Sequence, residues 1–207
     1  IVEDQRITNA QARQEYLGQM GRGSYSANQV ISMVGKNATL SAVDLSKVPA
    51  LMNSLDELAY ALQNTNQQTV AAARSYATSY TSLFGRQVPP SYLDLGSFVQ
   101  ILKQESRDST VRQLSDQVLA AIKQAVIAET HGSGKQGSTG IAIYFPNSAL
   151  YSNAFAGPQS YTVIADRFAE NSLWDDFLAF HYNNRTFKPD TREPVIPSSD
   201  FPSRAPG

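Results

Sequence analysis

Side chains able to do chemistry are few in this sequence, and their spacing rarely brings two of them together. There is no cysteine, so the chain holds no disulfide, no thiolate metal site and no sulfur nucleophile. The two histidines are His131 and His181. A histidine near neutral pH can act as general base, but only with a nucleophile or metal partner held rigidly beside it. His131-Gly132 opens the polar stretch 131–140 (HGSGKQGSTG), which reads as a flexible loop with no strand leading into it, so His131 is expected to be a solvated loop histidine. Gly134-Lys135 superficially suggests a phosphate-binding loop. The residue after the lysine is Gln136, however, and the order helix, loop, strand is the reverse of what that motif needs.

His181 shares a helix face with Trp174, Phe177 and Leu178, which suits a packing residue or a cation at a helix C-terminus. Asp44 and Asp94 fall where an extended segment meets a helix. Each is expected to cap that helix by accepting its unpaired N–H groups, the alternative being a substrate- or ion-binding carboxylate. Asp175-Asp176 suits the first turn of a helix. Asn37-Ala38-Thr39 matches a glycosylation acceptor but precedes a strand expected to be buried. Calcium-loop, zinc-helix, dinucleotide and serine-elbow signatures are all absent. No self-sufficient active site emerges.

The elements that must position these residues are mostly helices. The 207 residues favour one domain with a short appendage. Residues 38–45 read as a strand. Val48, Leu51, Met52, Leu55, Leu58, Ala59 and Leu62 recur at helical spacing. A second helix is expected over about 69–82, a short one opening at Asp94 or Ser97, and a longer one from Asp108 with Val111, Leu114, Val118, Ile122, Ala125 and Val126 inward. Residues 141–146 (IAIYFP) are too short for a helix and read as a buried central strand. Residues 161–168 read as a weak helix, and Ser172 as the cap of a last one. An earlier helix is expected from Thr8 or Asn9 to about Met20. Long helical connections between the two strands favour a mostly parallel sheet. Since two strands make no stable sheet, the missing ones are expected outside this chain.

A net charge of −1 leaves no electrostatic footprint for nucleic acid or a polybasic membrane anchor. No apolar run approaches the ~20 residues of a membrane span. The chain opens Ile1-Val2-Glu3, and five of its ten prolines lie from Pro189 to Pro206. This suggests a fragment: a domain over 1–187, then a Pro-rich tail or linker over 188–207.

Three stretches, in order, resemble the clostripain family of cysteine endopeptidases (peptidase family C11, caspase-like clan). They are residues 39–46 (TLSAVDLS) before the Leu-rich helix; Tyr92-Leu93-Asp94-Leu95 with Phe98 and Leu102; and Gly140 to Pro146 followed by Tyr161, Phe168, Trp174, Phe177 and Leu178. Ala142 stands where the family often has Ser. The residues carrying the likeness, Asp44, Asp94, Tyr144, Phe145, Pro146, Trp174 and Phe177, are structural in kind. The resemblance implies an α/β fold: the helix-rich carboxy-terminal portion of a caspase-like domain, with a sheet incomplete in this chain. It also implies a secreted or cell-envelope enzyme of a bacterium or archaeon, cleaving protein or peptide substrates after Arg or Lys by thiolate attack with His as acid and base. Calcium dependence occurs in parts of the family; no other cofactor is expected. The family's catalytic His-Gly and Asp-Ala-Cys segments have no counterpart here, and His131-Gly132 lies on the wrong side of the motifs to serve. An upstream catalytic segment of the same protein is therefore the expected partner, and the alternative is a non-catalytic module with the same fold.

Overall fold

The computed structural model describes residues 35–80, 91–153 and 157–189. The expected helix at 8–20 and the tail beyond 189 lie outside them. In chain order the elements are β1 (Thr39–Val43), α1 (Val48–Ala61), α2 (Gln67–Tyr76), β2 (Tyr92–Asp94), α3 (Leu95–Glu105), α4 (Ser109–Ala125), β3 (Val126–His131), β4 (Ala142–Tyr144), α5 (Ser148–Tyr151), α6 (Pro158–Ile164), α7 (Asp166–Asn171) and α8 (Trp174–Asn183).

The fold is a helix-rich α/β arrangement with an incomplete sheet. Its strand pairings correct the expectation of a mostly parallel sheet, since both are antiparallel: β1 with β3, and β2 with β4. The reason is local. The strands at 39–43 and 142–144 belong to different sheets, and their true neighbours are two short strands that apolar periodicity passes over. β2 is three residues long, and β3 continues without a break from α4.

Helix starts follow the side chains that precede them. Asn66 accepts from Gln68 N (2.8 Å), Asp94 from Ser97 N (2.8 Å) and Asp108 from Thr110 N (2.8 Å), each filling one of the open N–H groups of a first turn. Ser172 does the same for α8 from one position farther out, its Oγ accepting from Trp174 N at 3.2 Å. Helix α2 ends at Tyr76, before the expected 82, because residues 78–80 turn into extended pairing with β2.

Helix α1 packs on α4, α4 on α3 and α3 on α2. Leu51, Leu55 and Leu58 of α1 and Val111, Val118 and Ile122 of α4 fill the space between them. Ser115 sits inside that stripe at no energetic loss, donating to Val111 O at 2.7 Å. A second layer is aromatic. Phe145 meets Phe98 (5.4 Å between ring centroids), Trp174 (5.6 Å) and Phe177 (6.0 Å), all edge to face, the geometry favoured by the ring quadrupole. These four rings are fully buried, and burying each contributes about 2–3 kcal/mol.

The β1–β3 ribbon is a different matter. Leu40 and Ile127 are 61% and 72% exposed, which corrects the expectation of a buried strand at 38–45. Asn37 beside it is likewise exposed.

Candidate functional site

Asp94 ends β2 and caps α3, and it is fully buried. A buried carboxylate is tolerable only when its oxygens are supplied with donors. Here Oδ1 accepts from Ser97 N (2.8 Å) and Thr139 Oγ1 (2.7 Å). Oδ2 accepts from Thr139 N (2.7 Å), Tyr80 OH (2.8 Å), Gly140 N (3.2 Å) and Ser138 Oγ (3.4 Å). The expected cap is thus also a clasp, tying the glycine-rich loop to the start of α3. Two glycines make room for it. Gly140 adopts φ +96°, and a Cβ on Gly96 would lie 2.4 Å from Thr139 Oγ1. Burial raises the Tyr80 hydroxyl far above its ordinary pKa, so it stays a donor to Asp94.

The loop is therefore structured, and one expectation for His131 needs correction: a strand, β3, does lead into it. The residue is exposed, as expected, with its ring beside a carboxylate. His131 Nδ1 lies 2.9 and 3.0 Å from the two oxygens of Glu129. A carboxylate-oriented imidazole suits general base chemistry, but no nucleophile is hydrogen-bonded to it among the described residues. His181 is a packing residue, as expected. Its Nδ1 bonds Gln67 Oε1 at 2.7 Å and its ring meets Phe145 edge-on at 5.4 Å. Burial, aided by the Arg74 charge, pushes its pKa down to about 4.

Asp44 sits apart at the base of the ribbon, accepting from Ser46 N at 2.9 Å. That bond and the one from the Ser46 side chain lower its pKa. Tyr144, Phe145, Pro146, Trp174 and Phe177 come together around the end of β4. Trp174 Nε1 donates to Tyr144 O (2.7 Å), Arg74 Nε donates to Phe145 O and Pro146 O (both 3.0 Å), and Tyr182 OH donates to Pro146 O. Sequence reasoning missed Tyr80, Thr139, Gly96 and Arg74. The adjacency of Asp94 to Gly96, and of Thr139 to Gly140 before a strand, was the signal available for the clasp.

Beside β4 lies an apolar groove of about 290 Å³, lined by Val48, Leu51, Met52 and Leu55 of α1, residues 141–144, Tyr92, Leu95, and Tyr161, Ala165 and Phe168 from the α6–α7 region. Tyr144 and Tyr161 stack there with centroids 4.4 Å apart. Among the described residues no group of three or more His, Asp or Glu could hold a metal ion, and both oxygens of Asp94 are already filled. The donor set does not fit a calcium ion.

The sequence profile of the clostripain family matches residues 6–181. The chain belongs to the clostripain family. No curated protein and no solved structure matches it. Clostripain-family membership relates the chain to C11-type cysteine peptidases, hydrolases whose substrates are proteins. It also sharpens the chemical puzzle, because a clostripain-type reaction needs a thiolate and this chain has no cysteine. No described helix is long and apolar enough to cross a membrane.

Proposed function

We propose that this chain is the supporting, carboxy-terminal part of a clostripain-like cysteine endopeptidase with caspase-like architecture. The cysteine and its histidine would come from a polypeptide segment upstream of the one described. One observation carries the reading: a match to a cysteine-peptidase family over residues 6–181 in a sequence without cysteine. The helices and the Asp94 clasp would hold the catalytic loops of that segment at fixed geometry, which attack on a scissile carbonyl requires. Cleavage after Arg or Lys, export to the cell envelope or beyond, and a linker role for 188–207 complete the proposal.

The absence of a nucleophile equally favours one second reading, a non-catalytic module that keeps the fold. A fluorogenic peptide with Arg at the cleavage site separates the two. The purified chain should not hydrolyse it, and mixing with the upstream segment of the same protein should restore hydrolysis. If that segment lacks the family's His-Gly and Asp-Ala-Cys stretches, the module reading wins. Hydrolysis by the 207-residue chain alone would refute both.

A further inference from the structure

Helix α8 is held in two different ways along its length. Its first half is anchored in the core, where Trp174, Phe177 and Leu178 are fully buried. From His181 onward the attachment is largely polar. His181 Nδ1 bonds Gln67 Oε1 (2.7 Å) and Tyr182 OH donates to Pro146 O. The helix closes on Asn184, in the left-handed region at φ 55°, whose N–H donates to Phe180 O at 2.8 Å. The chain then crosses to the connection between α1 and α2. There Phe187 N donates to Gln63 Oε1 (3.0 Å), and Gln63 Nε2 donates to Phe187 O (3.1 Å). Residues 183–186 in between are exposed. Gln63 and Gln67 thus tie down the last turn of α8 and the strap behind it.

The Gln67 amide decides which ring nitrogen of His181 carries the proton. Gln67 Nε2 donates to Leu62 O (2.8 Å) and Thr65 O (2.9 Å), which leaves Oε1 as acceptor and makes His181 Nδ1 the donor to it. A second proton must therefore enter at Nε2. The charged group facing the ring is Arg74 of α2, whose guanidinium carbon lies 5.9 Å from the centroid of the Phe145 ring that His181 meets edge-on. Tyr182, the titratable neighbour on α8 itself, stays neutral because burial pushes its pKa up to about 12. Gln67, Phe145 and Phe177, which also face the ring, carry no charge. No carboxylate among the described residues pairs with it. The end of a helix favours a cation, but burial and then Arg74 work against it here and lower the His181 pKa to about 4.

We propose that the last turn of α8 and the strap at 184–187 form an acid-released latch, which a proton on His181 opens while the buried first half of the helix stays in place. Closed, the ring is neutral and bonded to Gln67. Open, the imidazolium is hydrated and clear of Arg74, and Tyr182 and Phe187 come away with it, freeing the chain at Lys188 from the α1–α2 connection. The sign follows from the lowered pKa: the open form binds the proton first, so the latch is closed at neutral pH and weakens as pH falls from 6.5 toward 4. That displacement limits the change in the ratio of closed to open forms to roughly 300-fold. The latch is independent of whether the chain supports a peptidase.

The test is amide hydrogen exchange on the full 207-residue chain at pH 7 and at pH 5, where ordinary carboxylates are still ionised, each corrected for the intrinsic pH dependence of exchange. Asn184 and Phe187 report on the latch. Phe177, whose N–H donates to Leu173 O at 2.9 Å, reports on the anchored half. Protection at Asn184 and Phe187 should fall about tenfold or more at pH 5, while Phe177 keeps its own. His181→Asn retains a donor near the Nδ1 position without titrating, and its latch should stay closed at both pH values. His181→Phe fills the same space with neither donor nor proton, so its protection should be the same at both, whatever its level. Equal protection of the wild-type latch at the two pH values would overturn the proposal, as would an equal acid loss in either variant. Loss at Phe177 in step with Asn184 and Phe187 would mean that acid opens the helix as a whole, and would overturn it too.

Discussion

Asp94 is the residue on which most of the local order converges. Removing its side chain leaves the Thr139 and Gly140 donors without the acceptor they share, and each orphaned donor costs about 1–3 kcal/mol. Asp94→Ala should therefore destabilise the chain by about 3 kcal/mol or more in chemical denaturation. Asp94→Asn, which keeps the shape but points an N–H₂ at donors, should lose roughly half as much. Exchange at the Thr139 and Gly140 amides should quicken in both. Gly96→Ala should reproduce the faster exchange without touching the carboxylate, because its methyl would displace Thr139. His181 gives a pH signature. Its folded pKa, about 4, lies below the ordinary 6.5, so the unfolded chain binds the proton first as pH falls. Stability from this group is complete above pH ~6.5 and drains away between 6.5 and 4. The groups facing the ring are Arg74 and Gln67 from α2, Phe145 after β4, and Phe177 and Tyr182 from its own helix. Protonation there would place a cation beside the Arg74 guanidinium. The loss should be on the order of 2 kcal/mol, the ring's partial access to solvent trimming the full linkage value. His181→Phe should flatten that part of a stability-versus-pH curve, whereas an unchanged slope would mean the ring is hydrated in solution.

Among the elements, α8 and β4 depend on each other. Trp174 buries its ring against Phe98, Phe145 and Phe177 and spends its N–H on Tyr144 O, so one side chain both fills the core and satisfies a strand carbonyl. Trp174→Phe should cost about 1–2 kcal/mol, the lost hydrogen bond plus a small void, and Trp174→Ala about 3–5 kcal/mol, both read by urea denaturation followed through circular dichroism. Helices were legible in the sequence because their stripes are long. Asp108 and the Val111–Val118–Ile122 series predicted where α4 begins, whereas Val126, expected on its inward face, opens β3. Strands β2 and β3 were not legible. Three residues of β2 carry too few positions for a period of two to show, and β3 (VIAETH) is polar because it is exposed. The pairing direction followed from those omissions, since a strand missing from the list cannot be chosen as a neighbour.

At the scale of the whole molecule, the described residues form a well-filled helical and aromatic core with an unfinished sheet on its flank. The uncharged groove beside β4, together with exposed Leu40 and Ile127 on the ribbon, presents surface that solitary proteins usually cover or charge. The isolated chain should self-associate as concentration rises, measured by light scattering across a dilution series, and Ile127→Lys, at a 72% exposed position, should reduce that association without lowering the melting midpoint. A monodisperse monomer at high concentration would mean these surfaces are covered in solution. Composition alone determined that no thiol chemistry can occur within this chain, because the absence of an element is independent of folding. Apolar spacing determined the helices and the identity of the core residues, because a helix buries its stripe whatever its neighbours are. Only the tertiary structure decided which strands pair, that Asp94 gathers donors from a loop 45 residues away (Thr139), and that Trp174 reaches the carbonyl of Tyr144. Each of these depends on distant segments meeting, and the spacing of residues along a chain carries no record of that.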